Sequence, residues 1–131
     1  MKIIGISAFY HDSAATLVED GEIISAYQEE RLTRKKHDSD FPINSINQIL
    51  NDNNLSLSDI DFICFYEKPI LKFDRLIESY ISIAPRGFKS FRSAMPIWLK
   101  EKIFLKKSIL KNLQKIDKNF EESKIKFSEH H

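Results

Sequence analysis

Apolar and polar residues alternate in short runs at the start of the chain, which is the pattern of half-buried β-strands. Three such runs follow one another: Lys2 to Ser7, Ala14 to Glu19 and Glu22 to Tyr27. Asp20-Gly21 separates the second run from the third and favours a two-residue hairpin turn, because both residues of that turn need positive φ. The pattern therefore predicts three consecutive strands, with a polar turn between the first two.

A helical period follows the third strand. Asp40-Phe41-Pro42 indicates a helix start, with Asp40 as the N-cap and the proline in the first turn. The apolar positions beyond it fall at helical spacing: Ile43, Ile46 and Leu50. The asparagine-rich residues 51–54 then predict the end of this helix.

The next apolar segment, Phe62 to Tyr66, is continuous rather than alternating. A run of this length predicts a strand that is buried on both faces, as in parallel sheets. Cys64 lies within it and is expected in the core, where free cysteines usually lie. Ser123 to Ser128 alternate again and predict a final strand. The order strand, strand, strand, helix, strand predicts an α/β protein with a mixed sheet.

Residues 70–119, between the last two predicted strands, have a helical period with breaks at Pro85 and Pro96. We interpret them as a helical, basic insertion in a domain that spans residues 1–131. Arg86 to Lys118 contains ten Lys/Arg and two Asp/Glu, a local charge of +8, although the whole chain carries +1. This asymmetry indicates that the insertion meets an acidic partner.

Length and composition narrow the class of protein. A chain of 131 residues with 42% hydrophobic residues can form one domain of ordinary size with a core. No apolar run reaches the ~18 residues that a membrane span needs, and the N-terminus lacks the pattern of a signal peptide. The single cysteine excludes an internal disulfide and fits a reducing compartment. We therefore expect a cytoplasmic protein without a membrane span.

Two polar segments are the candidates for chemistry. The polar turn carries His11, Asp12 and Ser13, and a dense charged run, Gln28 to Asp38, follows the third strand. We expect the turn and the charged run to form two walls of one anion-binding site. The structural alternative is that the turn is capped by its own side chains and that the charged run is a solvated loop.

These segments also resemble a known family. Gly5-Ile6-Ser7-x-x-x-His11-Asp12-Ser13-Ala14-Ala15 and Gln28 to His37 look like the N-terminus of O-carbamoyltransferases of the nodulation and antibiotic-biosynthesis type. The similarity continues through Ala84-Pro85-Arg86-Gly87-Phe88 and Ala94-Met95-Pro96-x-Trp98, so it covers most of the chain. It implies a ribonuclease-H-like sheet of the actin-like superfamily, of which this chain would hold an incomplete first lobe.

The resemblance implies a reaction. Members of the family make carbamoyladenylate from carbamoyl phosphate and ATP, and then transfer the carbamoyl group to a hydroxyl of a small-molecule acceptor. The transfer needs a base for the hydroxyl, which we assign to His11. We expect Asp12 either to orient His11 or to take part in metal binding through water. It also needs cations and hydrogen-bond donors for the departing nucleotide phosphate. We assign those contacts to Ser13, Arg34, Lys35, Lys36 and His37.

The resemblance also implies a metal. In the family the last strand leads into Glu-His-His-x-x-His-Ala, whose first and third histidines lie on one face of a helix and hold a metal. Glu129-His130-His131 matches the start of this motif, so His130 is the expected first ligand of a divalent metal, with iron expected.

Because the second histidine ligand would lie beyond the last residue, we interpret the chain as an N-terminal fragment. We expect this fragment to be inactive alone and to bind neither metal nor ATP or carbamoyladenylate tightly. The partner of this fragment would be the missing C-terminal part of the enzyme.

Other interpretations stay open. The chain could belong to another transferase of the actin-like superfamily, such as the tRNA threonylcarbamoyl transferases, although their first loop does not match here. It could also be a relic or a non-catalytic module that binds a partner through its basic helices. Nucleic acid and membrane surfaces are less favoured partners, because the resemblance gives the basic segment a partner within the enzyme. Exposed apolar surface would favour a homo-oligomer.

Overall fold

A computed structural model describes residues 1–9, 12–66 and 104–128 of the chain. In these residues five strands form one sheet: β1 (Lys2–Ser7), β2 (Ala14–Glu19), β3 (Glu22–Gln28), β4 (Phe62–Phe65) and β5 (Ile125–Phe127). Two helices lie between β3 and β4, namely α1 (Glu29–Thr33) and α2 (Ile43–Asp52). Residues 104–114 are also helical, and short 3₁₀ turns occupy Leu57–Asp59 and Glu122–Lys124.

The sheet is mixed, with the strand order β3-β2-β1-β4-β5. β2 is antiparallel to both β1 and β3, whereas β4 is parallel to both β1 and β5. The strands predicted from the sequence are all present; β3 continues to Gln28, and β5 is limited to Ile125–Phe127. The predicted α/β class and mixed sheet are therefore confirmed.

The turn between β2 and β3 has the geometry that its sequence requires. Asp20 has a φ of 50° and Gly21 a φ of 88°, so both lie in the left-handed region, as a two-residue hairpin turn demands. The Asp20 carboxylate also accepts a hydrogen bond from the N-terminal amino group, 2.5 Å away. This contact and the coulombic attraction that accompanies it lower the pKa of Asp20.

One face of the sheet forms the hydrophobic core. The strands contribute the buried side chains Ile4, Ile6, Ala15, Leu17, Ile63, Phe65 and Ile125. The helices contribute Ile46 and Ile49 from α2, and Ile109 and Leu113 from residues 104–114. The last part of the predicted insertion thus packs in the core, while its remaining residues up to 103 lie outside the described ones. In the described part of the chain, no helix combines the length and the apolar character needed to cross a membrane.

The predicted start of α2 was wrong. The helix begins at Ile43 and its N-cap is Pro42, not Asp40. A proline side chain has no hydrogen-bonding atom, so it cannot satisfy the free N–H groups of the first turn. Those groups need an acceptor from elsewhere in the chain.

The prediction that β4 is buried on both faces was also wrong. Along Phe62–Phe65, half-buried residues alternate with fully buried ones. The strand is central in the sheet, but only the side chains of Ile63 and Phe65 point into the core. Cys64 lies on the opposite face, where it is half-buried, and this burial raises the pKa of its thiol.

Replacement of Gly21 tests the hairpin. Gly21→Ala forces a β-carbon into a left-handed conformation, so we expect it to lower the free energy of unfolding by about 1 kcal/mol or more. Gly5→Ala is the matched control, because an added β-carbon at either glycine meets nothing within 4 Å, and the φ of Gly5 is not left-handed. Chemical denaturation of both variants measures the difference. Equal losses at the two positions would contradict the turn geometry.

Candidate functional site

The described residues of the polar turn (8, 9, 12 and 13) are joined to the loop between α1 and α2 (residues 34–42, the α1–α2 loop). Phe9 donates its backbone N–H to the Ser39 carbonyl at 2.7 Å, and Ser13 donates its own to the Asp38 carbonyl at 2.8 Å. The Ser13 hydroxyl also donates to the Asp40 carbonyl. The turn and the end of the charged run, which we expected to form two walls of one site, are therefore in contact.

Glu29, at the start of α1, connects three parts of this site. Its backbone N–H donates to the Ser13 carbonyl at 2.9 Å. Its carboxylate is buried and lies at the N-terminus of α2. There it accepts hydrogen bonds from the backbone N–H groups of Asn44, at 3.1 Å, and Ser45, at 2.8 Å. It also accepts the Asn44 side-chain amide at 2.8 Å and the Ser45 hydroxyl at 2.6 Å.

This carboxylate provides the acceptor that the N-cap of α2 lacks. Its negative charge also interacts favourably with the positive end of the helix dipole. The sequence pattern indicates no catalytic role for Glu29, because its charge can simply balance Arg31 or Arg34 in the charged run. The signal that could have identified a distant acceptor is Pro42, since a helix whose N-cap is proline must obtain one from another segment.

Asp38 is a second buried carboxylate, and it shapes the α1–α2 loop. It accepts the backbone N–H of Asp40 at 3.0 Å and the Thr33 hydroxyl at 2.8 Å. These hydrogen bonds favour the ionised form and lower the pKa of Asp38. The loop is thus fixed to the end of α1 by a charge that faces the protein interior.

Asp12 and His37 connect the turn and the loop through their side chains. Nδ1 of His37 lies 3.2 Å and 3.3 Å from the two carboxylate oxygens of Asp12. His37 has a left-handed backbone, with a φ of 54°, and donates its backbone N–H to the Glu30 carboxylate at 2.9 Å. Asp12 thus contacts His37 in the structure. His11, which we expected Asp12 to orient, lies outside the described residues.

The cations of the charged run are on the solvent side. Arg34, Lys35 and Lys36 are all exposed. Arg34 ends α1 in a left-handed conformation, with a φ of 62°. Nζ of Lys35 lies 3.5 Å from a carboxylate oxygen of Asp40, and both side chains are largely exposed. The three cations directly precede His37 in the sequence and are accessible to an anionic ligand. Their contact with a phosphate stays a prediction.

Two further site predictions meet the structure differently. Ser13 is 1% exposed, and its hydroxyl donates to a backbone carbonyl, so here it fixes the turn. Its contact with a nucleotide stays a prediction. His130, the expected metal ligand, lies outside the described residues.

Three side chains near the turn could in principle hold a metal ion. Asp12, Glu30 and His37 each offer one ligand atom, and these atoms lie within 4.8 Å of one another. In this arrangement, however, the same groups are engaged with each other. The His37 ring contacts the Asp12 carboxylate, and the His37 backbone N–H binds the Glu30 carboxylate. We assign no metal to this cluster.

Comparison with known proteins identifies the family. The family model of the carbamoyltransferase N-terminus matches residues 2–131. The chain belongs to this family. The resemblance found in the polar turn, the charged run and the later motifs is thereby confirmed.

Two of three similar proteins are several times longer than the chain. The chain is 51% identical over 131 residues to an uncharacterized protein of Synechocystis sp. The aligned region covers 98% of the chain and 21% of that protein. The chain is 34% identical over 125 residues to the nodulation protein NolNO of Sinorhizobium fredii. The aligned region covers 95% of the chain and 17% of NolNO. The chain is 45% identical over 60 residues to an uncharacterized 19.2 kDa protein of Rhizobium etli. The aligned region covers 46% of the chain and 35% of that protein. The chain thus spans about a fifth of the first two of these carbamoyltransferase-family relatives.

Replacement of Glu29 tests its role at α2. Glu29→Ala leaves the buried donors of Ser45 without an acceptor and also removes the acceptor of the exposed Asn44, so we expect a loss of about 3 kcal/mol in the free energy of unfolding. Glu29→Gln should lose about 2 kcal/mol, because its amide places a donor against donors. Glu22→Gln, an exposed change at the start of β3, is the control and should stay within about 0.5 kcal/mol. Denaturation curves that do not separate Glu29→Gln from the control would contradict this role.

The lowered pKa of Asp38 predicts that the stability of the protein depends on pH. Its folded-state pKa lies below the ordinary value of 3.8, so the ionised carboxylate stabilises the folded state above that pH. This stabilisation is lost as the pH falls through the folded-state pKa. Asp38→Asn lacks it, so the gap in unfolding midpoint between the unaltered protein and the variant should be widest near neutral pH and shrink in acid. Thermal unfolding from pH 7 to about pH 3 measures the gap, and Asp40→Asn controls for the loss of one charge. A gap that does not change with pH would show that the Asp38 charge is not involved.

Proposed function

We propose that the chain is the N-terminal part of an O-carbamoyltransferase that transfers a carbamoyl group from carbamoyladenylate to a hydroxyl of a small-molecule acceptor. The observation that supports this most directly is the contact between the polar turn and the α1–α2 loop. These segments carry the family motif, and the structure brings them to one place within a family match over residues 2–131. The strand order β3-β2-β1-β4-β5 supports a ribonuclease-H-like sheet for this chain.

The transfer step makes two demands on the site. The acceptor hydroxyl attacks the carbamoyl carbon and loses its proton, while the bond between that carbon and the phosphate oxygen breaks and AMP departs. The proton goes to a base, for which His11 is the candidate. The AMP phosphate needs positive charge, which the exposed Arg34, Lys35 and Lys36 can supply.

The other components belong to the rest of the enzyme. The carbamoyladenylate would be made from carbamoyl phosphate and ATP by a part of the longer enzyme that this chain does not contain. A divalent metal, with iron expected, would have His130 as its first ligand, and no described residue tests this. We propose that the enzyme is cytoplasmic and that the chain alone is inactive.

The first experiment is to sequence the DNA beyond the codon for His131 and to assay the complete polypeptide. It is incubated with carbamoyl phosphate, ATP and a panel of hydroxyl compounds, including sugars and aminoglycosides. We expect AMP release that depends on the acceptor, and an acceptor product that carries one carbamoyl group by mass spectrometry. If the reading frame ends at His131, the chain is assayed together with the separately expressed remainder of the Synechocystis relative. Failure of every acceptor in an assay where carbamoyladenylate is formed would overturn the proposal.

Lys36 is the position at which to test the phosphate contact. Lys36→Ala removes a cation from the leaving phosphate, so we expect kcat/KM for carbamoyl transfer to fall by about 10- to 100-fold. Lys2→Gln removes a half-buried cation whose partner is Glu19, at the opposite end of β1 from the polar turn, and should leave the rate unchanged. Equal rates for the two variants would exclude Lys36 as a phosphate ligand.

A further inference from the structure

The contact between Asp12 and His37 lies between the two parts of the site that the proposed reaction uses. Asp12 directly follows His11, the candidate base, and His37 directly follows Lys36, a candidate phosphate ligand. The Asp12 carboxylate and the His37 ring are 3.2 Å apart at their closest atoms. The backbone bonds from Phe9 to Ser39 and from Ser13 to Asp38 also join the turn to the loop. The Asp12–His37 contact adds a side-chain link between the chain positions next to the base and next to the phosphate ligand.

We propose that Asp12 and His37 are positioning residues, whose contact holds the polar turn at a fixed distance from the cations of the charged run during carbamoyl transfer. The inference rests on the proposed function. It assigns neither side chain to the reacting atoms, and it gives Asp12 a different role from the orientation of His11.

Both residues are held on their own side of the contact. The Asp12 carbonyl accepts the Ser7 hydroxyl at 3.3 Å, which connects Asp12 to the end of β1. His37 is fixed by the bond from its backbone N–H to Glu30 and by a left-handed backbone, which is uncommon for histidine. Its Nδ1 can donate to the carboxylate in the protonated ring or in the neutral form that carries hydrogen on Nδ1. Two supported residues thus meet at defined atoms.

The exposure of the pair argues for a role in rate rather than in stability. The side chains are 69% exposed for His37 and 45% exposed for Asp12. Exposed ion pairs and hydrogen bonds contribute little to folding and are screened by salt. A small displacement of a base from a reacting group, in contrast, lowers rates strongly. Loss of this contact should therefore slow carbamoyl transfer while the protein stays folded.

Three variants separate the possible roles of the pair. His37→Gly keeps the left-handed backbone without cost and removes the ring. His37→Asn also tolerates that backbone, and its side-chain amide can still donate to Asp12. Asp12→Ala removes the carboxylate oxygens that face His37 Nδ1. Glu19→Gln is the matched control, since it removes the charge of Glu19 from the half-buried Lys2–Glu19 pair at the opposite end of β1.

The expected results follow from positioning. In the complete polypeptide, His37→Gly and Asp12→Ala each lower kcat for transfer about tenfold, with KM for the acceptor changed less than about threefold. His37→Asn stays within about threefold of the unaltered kcat, because a donor to Asp12 is kept. The double variant His37→Gly/Asp12→Ala loses no more than about twofold beyond the slower single variant, since both changes remove the same contact. Carbamoyladenylate formation and the unfolding midpoint, within about 3 °C, stay unchanged.

Several results would overturn the inference. If His37→Asn is as slow as His37→Gly, the imidazole itself acts in the reaction. If the losses of the two single variants multiply in the double variant, Asp12 and His37 act independently. Rates that match those of Glu19→Gln in every variant would show that the contact has no role.

A second measurement does not need the reaction. Amide hydrogen exchange of peptides that cover residues 12–14 and 38–40 reports how often the turn separates from the loop. We expect exchange to be about threefold faster in His37→Gly and unchanged in His37→Asn. A complete polypeptide that transfers no carbamoyl group would end the proposed function, and equal exchange in the two variants would end the positioning role.

Discussion

The buried carboxylate of Glu29 is the interaction on which the arrangement of the site depends. A charge removed from water is tolerated only when donors surround it, and here Asn44 and Ser45 supply four hydrogen bonds. Two of those donors are backbone N–H groups of the first turn of α2, which have no partner within the helix and none in the side chain of the N-cap, Pro42. Glu29 directly follows β3, and its N–H binds the Ser13 carbonyl. One residue therefore connects the sheet, the helix that covers it and the polar turn.

The α1–α2 loop is fixed at both ends as a consequence. Its first end follows α1, which Glu29 holds against α2, and its second end is the start of α2 itself. Between these points Asp38 binds Thr33 and the backbone of Asp40. Left-handed residues at Arg34 and His37 let so short a loop reverse its direction. The loop is thus a rigid support for exposed side chains, and rigidity is what a site needs if it is to orient a ligand.

Local signals predicted the strands, because alternation and the Asp20-Gly21 turn depend on neighbouring residues alone. Interactions between distant residues could not be read in the same way. Asp40 satisfied the local rule for an N-cap. The acceptor for the first turn of α2 is instead Glu29, whose carboxylate binds the backbone N–H of Asn44, 15 positions further along the chain. The continuous apolar run around Cys64 could not show which face would pack in the core. Motif resemblance placed Asp12 and His37 in one site, yet their contact spans 25 positions and needs the folded structure.

The charged run shows how a mixed sequence can present one sign of charge. Its acidic side chains are used within the protein: Glu29 caps α2, Glu30 binds the His37 backbone, and Asp38 fixes the loop. Its cations at positions 34–36 lie on the exposed side. The sequence near them is almost balanced in charge, but the fold sorts the charges by direction. A surface formed in this way attracts anions without a large net charge on the chain, and a nucleotide phosphate is the anion that carbamoyl transfer from an adenylate would release.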